Sequence, residues 1–351
     1  MSTLKPLAAL ILLTLASQAF AANQSANQTQ TGNNNQATLE QSGGDMNAAT
    51  QTQNGDDNLS AIVQIGSSNT VTTDQQSSGN SVSLQQEGTG NTTSVYQQGD
   101  VMGHTAQVTQ LGDTNTITLD QSTNASAATL YQEGSNNVYT IEQVGYGGNE
   151  LLASSVGTGN TLDVRQDSGG YAELTQTGDN NAITLQQDVS FASGRTFVNQ
   201  TGTGNTADVS QSANRYFARS ITLDQNGENN RATVSQNSGF SEFAFTQQGS
   251  GNELTAMQST IEGTLIGSSI GNDNIVNVSQ EGYNVHGEVY QNGDGNLANL
   301  TQLGGELGVG GPYSAYISQT GTANEATLTL DRSSGTIIQD GTGNIATVVQ
   351  Q

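Results

Sequence analysis

The sequence predicts an all-β fold: a β-solenoid of about fourteen strand–turn–strand repeats of ~22 residues, forming two facing parallel sheets. Three observations carry this. Glutamine recurs every 11 residues at Gln110, Gln121, Gln132 and Gln143. Between glutamines the residues alternate, with Asn115, Ile117, Leu119 and Gln121 on one side and Thr116, Thr118 and Asp120 on the other. That period of two describes a strand with unlike faces. The phrase Q-x-G-x-x-N returns as Gln110–Gly112–Asn115 and Gln132–Gly134–Asn137, and its glycine-containing tetrad is turn chemistry. One such unit cannot bury its own apolar face until a copy stacks on it.

The chain opens on a secretory signal peptide, residues 1–21: Lys5, an apolar run from Leu7 to Leu15, and Ala19-Phe20-Ala21 as cleavage site. That run is too short to span a membrane, and no later stretch qualifies. A short polar leader is expected over 22–29 and the repeat array over 30–351. Phrases open at Gln30, Gln53, Gln64, Gln86, Gln110, Gln132, Gln176, Gln200, Gln225, Gln247, Gln291, Gln319 and Gln339. Ser155 and Ser269 head two more. Weaker half-units fill the intervals, such as Ser241–Phe243–Phe245–Gln247. The longer steps Gln97–Gln110, Gln187–Gln200, Gln211–Gln225 and Gln302–Gln319 are loop expansions at turns, where a solenoid tolerates them. Leu330 stands where a glutamine is expected, and no polar cap is expected after Gln351.

The Gln/Asn/apolar face is assigned to the interior. An unpartnered buried amide costs about 1–3 kcal/mol. Stacking removes that cost, because each glutamine can bond to its equivalent one layer away, at ~4.8 Å. The expected ladder positions include Gln30, Asn35, Gln41, Gln110, Asn115, Gln121, Gln132, Asn137, Gln143, Gln339, Asn344 and Gln350.

Composition agrees. Hydrophobic residues make up 32% of the chain, short of the roughly 45–50% of a globular domain, so a conventional core is not expected. Cysteine is absent, which leaves an exported chain to depend on backbone pairing rather than disulfides and excludes thiolate metal sites. A net charge of −24 argues against nucleic acid as a partner. No catalytic, cofactor-binding or metal site is expected. His104, placed in an expanded turn, and His286 are expected at the surface. The acids Asp74, Asp120 and Asp224 read as solvated charge that limits sideways aggregation. Gly55-Asp56-Asp57-Asn58 lacks the nonapeptide pattern of calcium-binding β-rolls. Thr116-Ile117-Thr118 fits an ice-binding threonine rank that other repeats do not keep. Arg195, Arg215, Arg219 and Arg231 form a basic cluster, read either as a loop offsetting nearby acid or as a patch for an acidic neighbour.

The repeat Gln-x-Gly-x-x-Asn-x-Ala-x-x-x-Gln, with Ser or Asn six residues before the first Gln, resembles the curlin repeat of curli fibre subunits. Gln30–Gln41 matches at every fixed position, as does Gln339–Gln350 with Ser333 upstream and Ala346 as the small residue. The array holds nearly three times the family's usual complement of about five repeats. The resemblance implies a secreted, cell-surface functional amyloid: a structural subunit of an extracellular fimbria serving adhesion and the biofilm matrix. It implies as partners other copies of the chain, a nucleating subunit, an outer-membrane secretion pore, and cell or abiotic surfaces. The alternatives are a nucleating or minor curli subunit, a monomeric β-solenoid adhesin, and a polysaccharide-active β-helix enzyme.

Overall fold

The computed structural model describes residues 23–99, 103–123, 125–189, 194–212, 219–237, 239–306 and 310–351. The signal-peptide reading lies outside them. Among the described residues there are twenty-nine strands, β1 to β29 in chain order, and no helix. No helix is therefore long and apolar enough to cross a membrane.

Odd-numbered strands form one fifteen-stranded parallel sheet and even-numbered strands a fourteen-stranded one, so the chain coils through about fourteen turns of a β-solenoid. Register is exact at ladder positions: Gln110 aligns with Gln86 and Gln132 in the smaller sheet, and Gln143 with Gln121 and Gln166 in the larger. Strand β1 (Ser25–Thr31) already pairs in register with Ala48–Asn54. The solenoid therefore begins inside the segment expected to be a leader. The reason is that a phrase's first glutamine closes a strand, so Ala26 and Gln28 must precede Gln30 on the inward face.

Alternation places every second residue inside. In β10 (Ala127–Ser135), Ala128, Leu130 and Gln132 are buried while Ala127, Thr129 and Glu133 are exposed. Across the interior, β11 (Val138–Val144) contributes Tyr139, Ile141 and Gln143. One continuous apolar cluster runs from Leu39 to Ile337. Each fully buried Leu, Ile or Phe contributes roughly 1.5–3 kcal/mol. Tyr139 is wholly buried, with its hydroxyl donating to Tyr131 O at 2.9 Å; burial pushes its phenol pKa up.

The phrase glycine is obligatory on two counts. Gly134 has φ +112°, and a Cβ there would lie 2.1 Å from Gly157 O in the next turn. The same approach repeats up the column, for example at Gly112, Gly178 and Gly227.

The two edges of the solenoid differ. From Gln64 onward, the step from the smaller to the larger sheet is always 11 residues, as in Gln64–Gln75, Gln200–Gln211 and Gln339–Gln350. The return step varies from 9 (Leu330–Gln339) to 17 residues (Gln302–Gln319). All four loop expansions thus fall on one edge, and the opposite edge is a uniform row of Gly/Asn turns. The phrases at Gln30 and Gln53 close strands of the larger sheet, whereas every later phrase, from Gln64 on, closes a strand of the smaller one.

Candidate functional site: the amide ladders

In the larger sheet thirteen glutamines, from Gln30 to Gln302, form an unbroken chain of side-chain hydrogen bonds. Gln30 donates to Gln53 at 2.6 Å, Gln121 to Gln143 at 2.8 Å, Gln143 to Gln166 at 2.9 Å and Gln280 to Gln302 at 3.0 Å. In each pair Nε2 donates to the Oε1 of the following turn, never the reverse. From Gln75 onward the second Nε2 proton goes to a backbone carbonyl of the facing sheet 16 residues earlier, as from Gln143 to Ala127 O and from Gln121 to Thr105 O, both at 3.1 Å. Each amide therefore bonds along the axis and also ties the two sheets together at the corner. A buried polar group so satisfied carries no desolvation penalty of the unpaired kind.

The smaller sheet has the same ladder in three segments. Gln41 donates to Gln64 at 2.8 Å and Gln110 to Gln132 at 2.9 Å. Ser155 and Ser269 occupy the column next, each donating Oγ–H to the following glutamine, Gln176 at 2.8 Å and Gln291 at 2.9 Å. The last segment ends with Gln319 donating to Gln339 at 2.9 Å. In the larger sheet Leu330 breaks the column between Gln302 and Gln350. Gln302 Nε2 turns instead to Tyr313 O at 2.6 Å.

The asparagines do different work from the glutamines. Asn137 Oδ1 accepts the backbone N–H of Asn160 at 3.0 Å, and its Nδ2 donates to Gly157 O at 3.0 Å and to Asn115 Oδ1 at 3.0 Å. Asn115 likewise reaches Gly134 O at 3.0 Å, and Asn35 reaches Gly55 O at 2.7 Å. Each asparagine thus staples its own turn to the glycine carbonyl of the next. The glycine's missing Cβ is what lets that carbonyl come close.

At the two outermost turns the same residues are less covered. Gln30, Asn35 and Gln41 are half-buried, Gln339 is 6% exposed, and Asn344 and Gln350 are exposed. Ala346 and Val348 lean on the core only partly covered, while outward-facing Ile345 and Val349 lie open. Strands β1 and β29 (Ile345–Gln350) each pair on one side only.

Two expectations require correction. His104 is fully buried. Its ring stands in the asparagine column of the variable edge: Nδ1 accepts Ser126 N–H at 3.1 Å and Nε2–H donates to Gln98 O at 3.2 Å. Burial lowers its pKa, opposed by that carbonyl and by Asp120. His286 does face outward, beside Glu288 at 2.8 Å. The basic cluster is no single patch, because Arg195 lies on the smaller sheet and Arg231 on the larger; Arg215 lies outside the described residues, as does the side chain of Arg219. The Thr118 position is threonine on nine of the fifteen larger-sheet strands, with Asn27, Ser94, Asp163, Asp208, Asn277 and Asn299 interrupting, and the full Thr-x-Thr pair recurs only at Thr70–Thr72, so no threonine rank is kept.

The turn acids are engaged with the backbone: Asp56 accepts Asn33 N–H at 2.7 Å and Asp113 accepts Thr89 N–H at 3.1 Å. Among the described residues no three His, Asp or Glu side chains converge as a metal would need. Fold and ladders together define an in-register parallel β-solenoid with an amide-laddered interior. The chain matches no protein-family model and no curated protein at significance.

Proposed function

We propose that the protein is the structural subunit of an extracellular, curli-like amyloid fibre, assembling by adding copies along the solenoid axis. The reading is supported chiefly by one observation, the directional glutamine column of the larger sheet. Gln30 spends its amide N–H inward on Gln53, and among the described residues its Oε1 accepts no bond and the Gln350 side chain makes none. A second copy stacked head-to-tail continues the column and pairs the open strand edges. Such a heterologous contact does not close on itself and generates a filament. Signal peptide and curlin-like spacing support an extracellular, adhesive role, with a nucleating subunit and a secretion pore as partners.

The test is fibre formation by the purified mature chain. Expected are thioflavin-positive filaments with a meridional reflection near ~4.7–4.8 Å and sheet packing near ~10 Å. A chain that stays monomeric for days at high concentration would overturn the proposal.

A further inference from the structure

The variable edge carries an open groove of about 440 Å³ on the outer face of the smaller sheet. Its floor spans three successive strands, β12 (Glu150–Thr158), β14 (Tyr171–Asp179) and β16 (Gly194–Thr203). Glu150, Tyr171 and Arg195 are in register on the three, so the tyrosine lies between an acidic and a basic residue whose backbones are roughly 9–10 Å apart. Arg195 makes no ion pair among the described residues. Phe197 lies beside them, its ring centroid 5.7 Å from that of Tyr171 and tilted by 51°. Gly148, Gly169, Gly170 and Gly194 line the groove beside the rings.

We infer that this groove binds an uncharged polysaccharide chain, with a pyranose ring resting on Tyr171 and Phe197 and its hydroxyls bonded by Glu150 and Arg195. A pyranose has an apolar C–H face and a hydroxyl edge. An aromatic shelf flanked by one acceptor and one donor group is complementary to both. Among the described residues the shelf extends across three strands, a length that suits the middle of a polymer. Phosphate-bearing ligands are disfavoured, because Glu150 and Glu173 border the rings and the chain carries a net charge of −24. The groove lies on the outer face and draws nothing from the ladders, so binding and assembly are separable.

The test uses the mature chain kept soluble and a panel of cello-, xylo-, malto- and chito-oligosaccharides, read by saturation-transfer NMR and equilibrium titration. At least one series should bind with a micromolar to low-millimolar Kd. Tyr171→Ala combined with Phe197→Ala should weaken it at least about tenfold, corresponding to 1.4 kcal/mol. Phe197→Trp should hold or tighten binding, and Tyr290→Ala, in a distant aromatic pair on the same sheet, should leave it unchanged. These side chains face outward, so circular dichroism and assembly rate should match the parent. No binding by any series, or aromatic variants that bind like the parent, would overturn the inference whether or not fibres form.

Discussion

Replacing Gln143 by alanine tests the ladder directly. Gln143 is wholly buried, accepts from Gln121 at 2.8 Å, and donates to Gln166 at 2.9 Å and Ala127 O at 3.1 Å. Alanine removes all three bonds. Gln121 Nε2 keeps carbonyl partners at Thr105 and Ser126, so its loss is partial. Gln166 Oε1 loses its axial donor outright. One orphaned buried acceptor costs about 1–3 kcal/mol, and the cavity left by the missing side chain adds about 1–3 kcal/mol. The expected loss is therefore about 2–6 kcal/mol, concentrated in the turns on either side, since a solenoid is coupled only to its nearest neighbours. Gln143→Leu fills the volume and should cost about half as much, as the natural Leu330 in the same column suggests. Native-state hydrogen exchange across residues 121–166, alongside the lag time of assembly, reads both. If the alanine variant keeps exchange protection within about 0.5 kcal/mol of the parent, amide stacking is not what holds the interior.

Three further outcomes follow from the same geometry. Gly134→Ala must push aside Gly157 O from 2.1 Å at φ +112° and should destabilise by more than about 3 kcal/mol, whereas Gly295→Ala, with open space at φ +61°, should cost only about 1–2 kcal/mol; chemical denaturation of the pair compares them directly. Asn137→Asp turns two donated bonds into oxygen–oxygen repulsions against Gly157 and Asn115, so we expect a local loss of about 2–4 kcal/mol at neutral pH that shrinks when the carboxyl is protonated, seen in exchange rates at pH 7 and pH 4. His104 is held toward its neutral form in the fold by burial, with Asp120 opposing among the described residues. Below about pH 6.5 the unfolded chain takes up a proton that the folded chain resists, so stability tied to this residue is intact above that pH and drains away as pH falls, by at most about 1.4 kcal/mol per unit. His104→Asn keeps the corner bonds and should flatten the melting midpoint between pH 6.5 and 5; parallel curves for parent and variant would refute the neutral-ring geometry.

Much of this was written in the spacing. Alternation with an 11-residue glutamine period fixes strands, faces and layer height, because only parallel in-register stacking gives a buried glutamine its partner. The distinct tasks of Gln and Asn were not visible, since both are amides at strand ends; only the glycine's close approach separates axial ladder from turn staple. His104 reads as a loop residue by its neighbours, yet His104–Ala106–Val108–Gln110 repeats the pattern of Asn80–Val82–Leu84–Gln86, which marks it as an occupant of the asparagine column. The confinement of every expansion to one edge was also countable. It was obscured because the phrases at Gln30 and Gln53 belong to the other sheet from all later ones. The groove beside Tyr171 has no sequence signature at all: it joins Glu150, Tyr171 and Arg195, whose spacings of 21 and 24 residues acquire meaning only through register.

The constant edge and the variable edge divide the labour of the molecule. A filament grown along the axis needs every turn to be the same height, and the uniform 11-residue step with its Gly carbonyl, Asn staple and glutamine column enforces that. Loops of unequal length would spoil stacking if they projected along the axis. Set at one edge, they leave the in-register pairing of the strands that flank them intact. Sequence can therefore drift on that edge, acquiring features such as the Tyr171–Phe197 shelf, while the opposite edge is held by the steric limit at each glycine. Axial direction is fixed by the same chemistry. Because every glutamine-to-glutamine bond in the ladders donates toward the later turn, two copies meeting with like ends would oppose acceptor to acceptor or donor to donor. Only one orientation of an incoming copy extends the column.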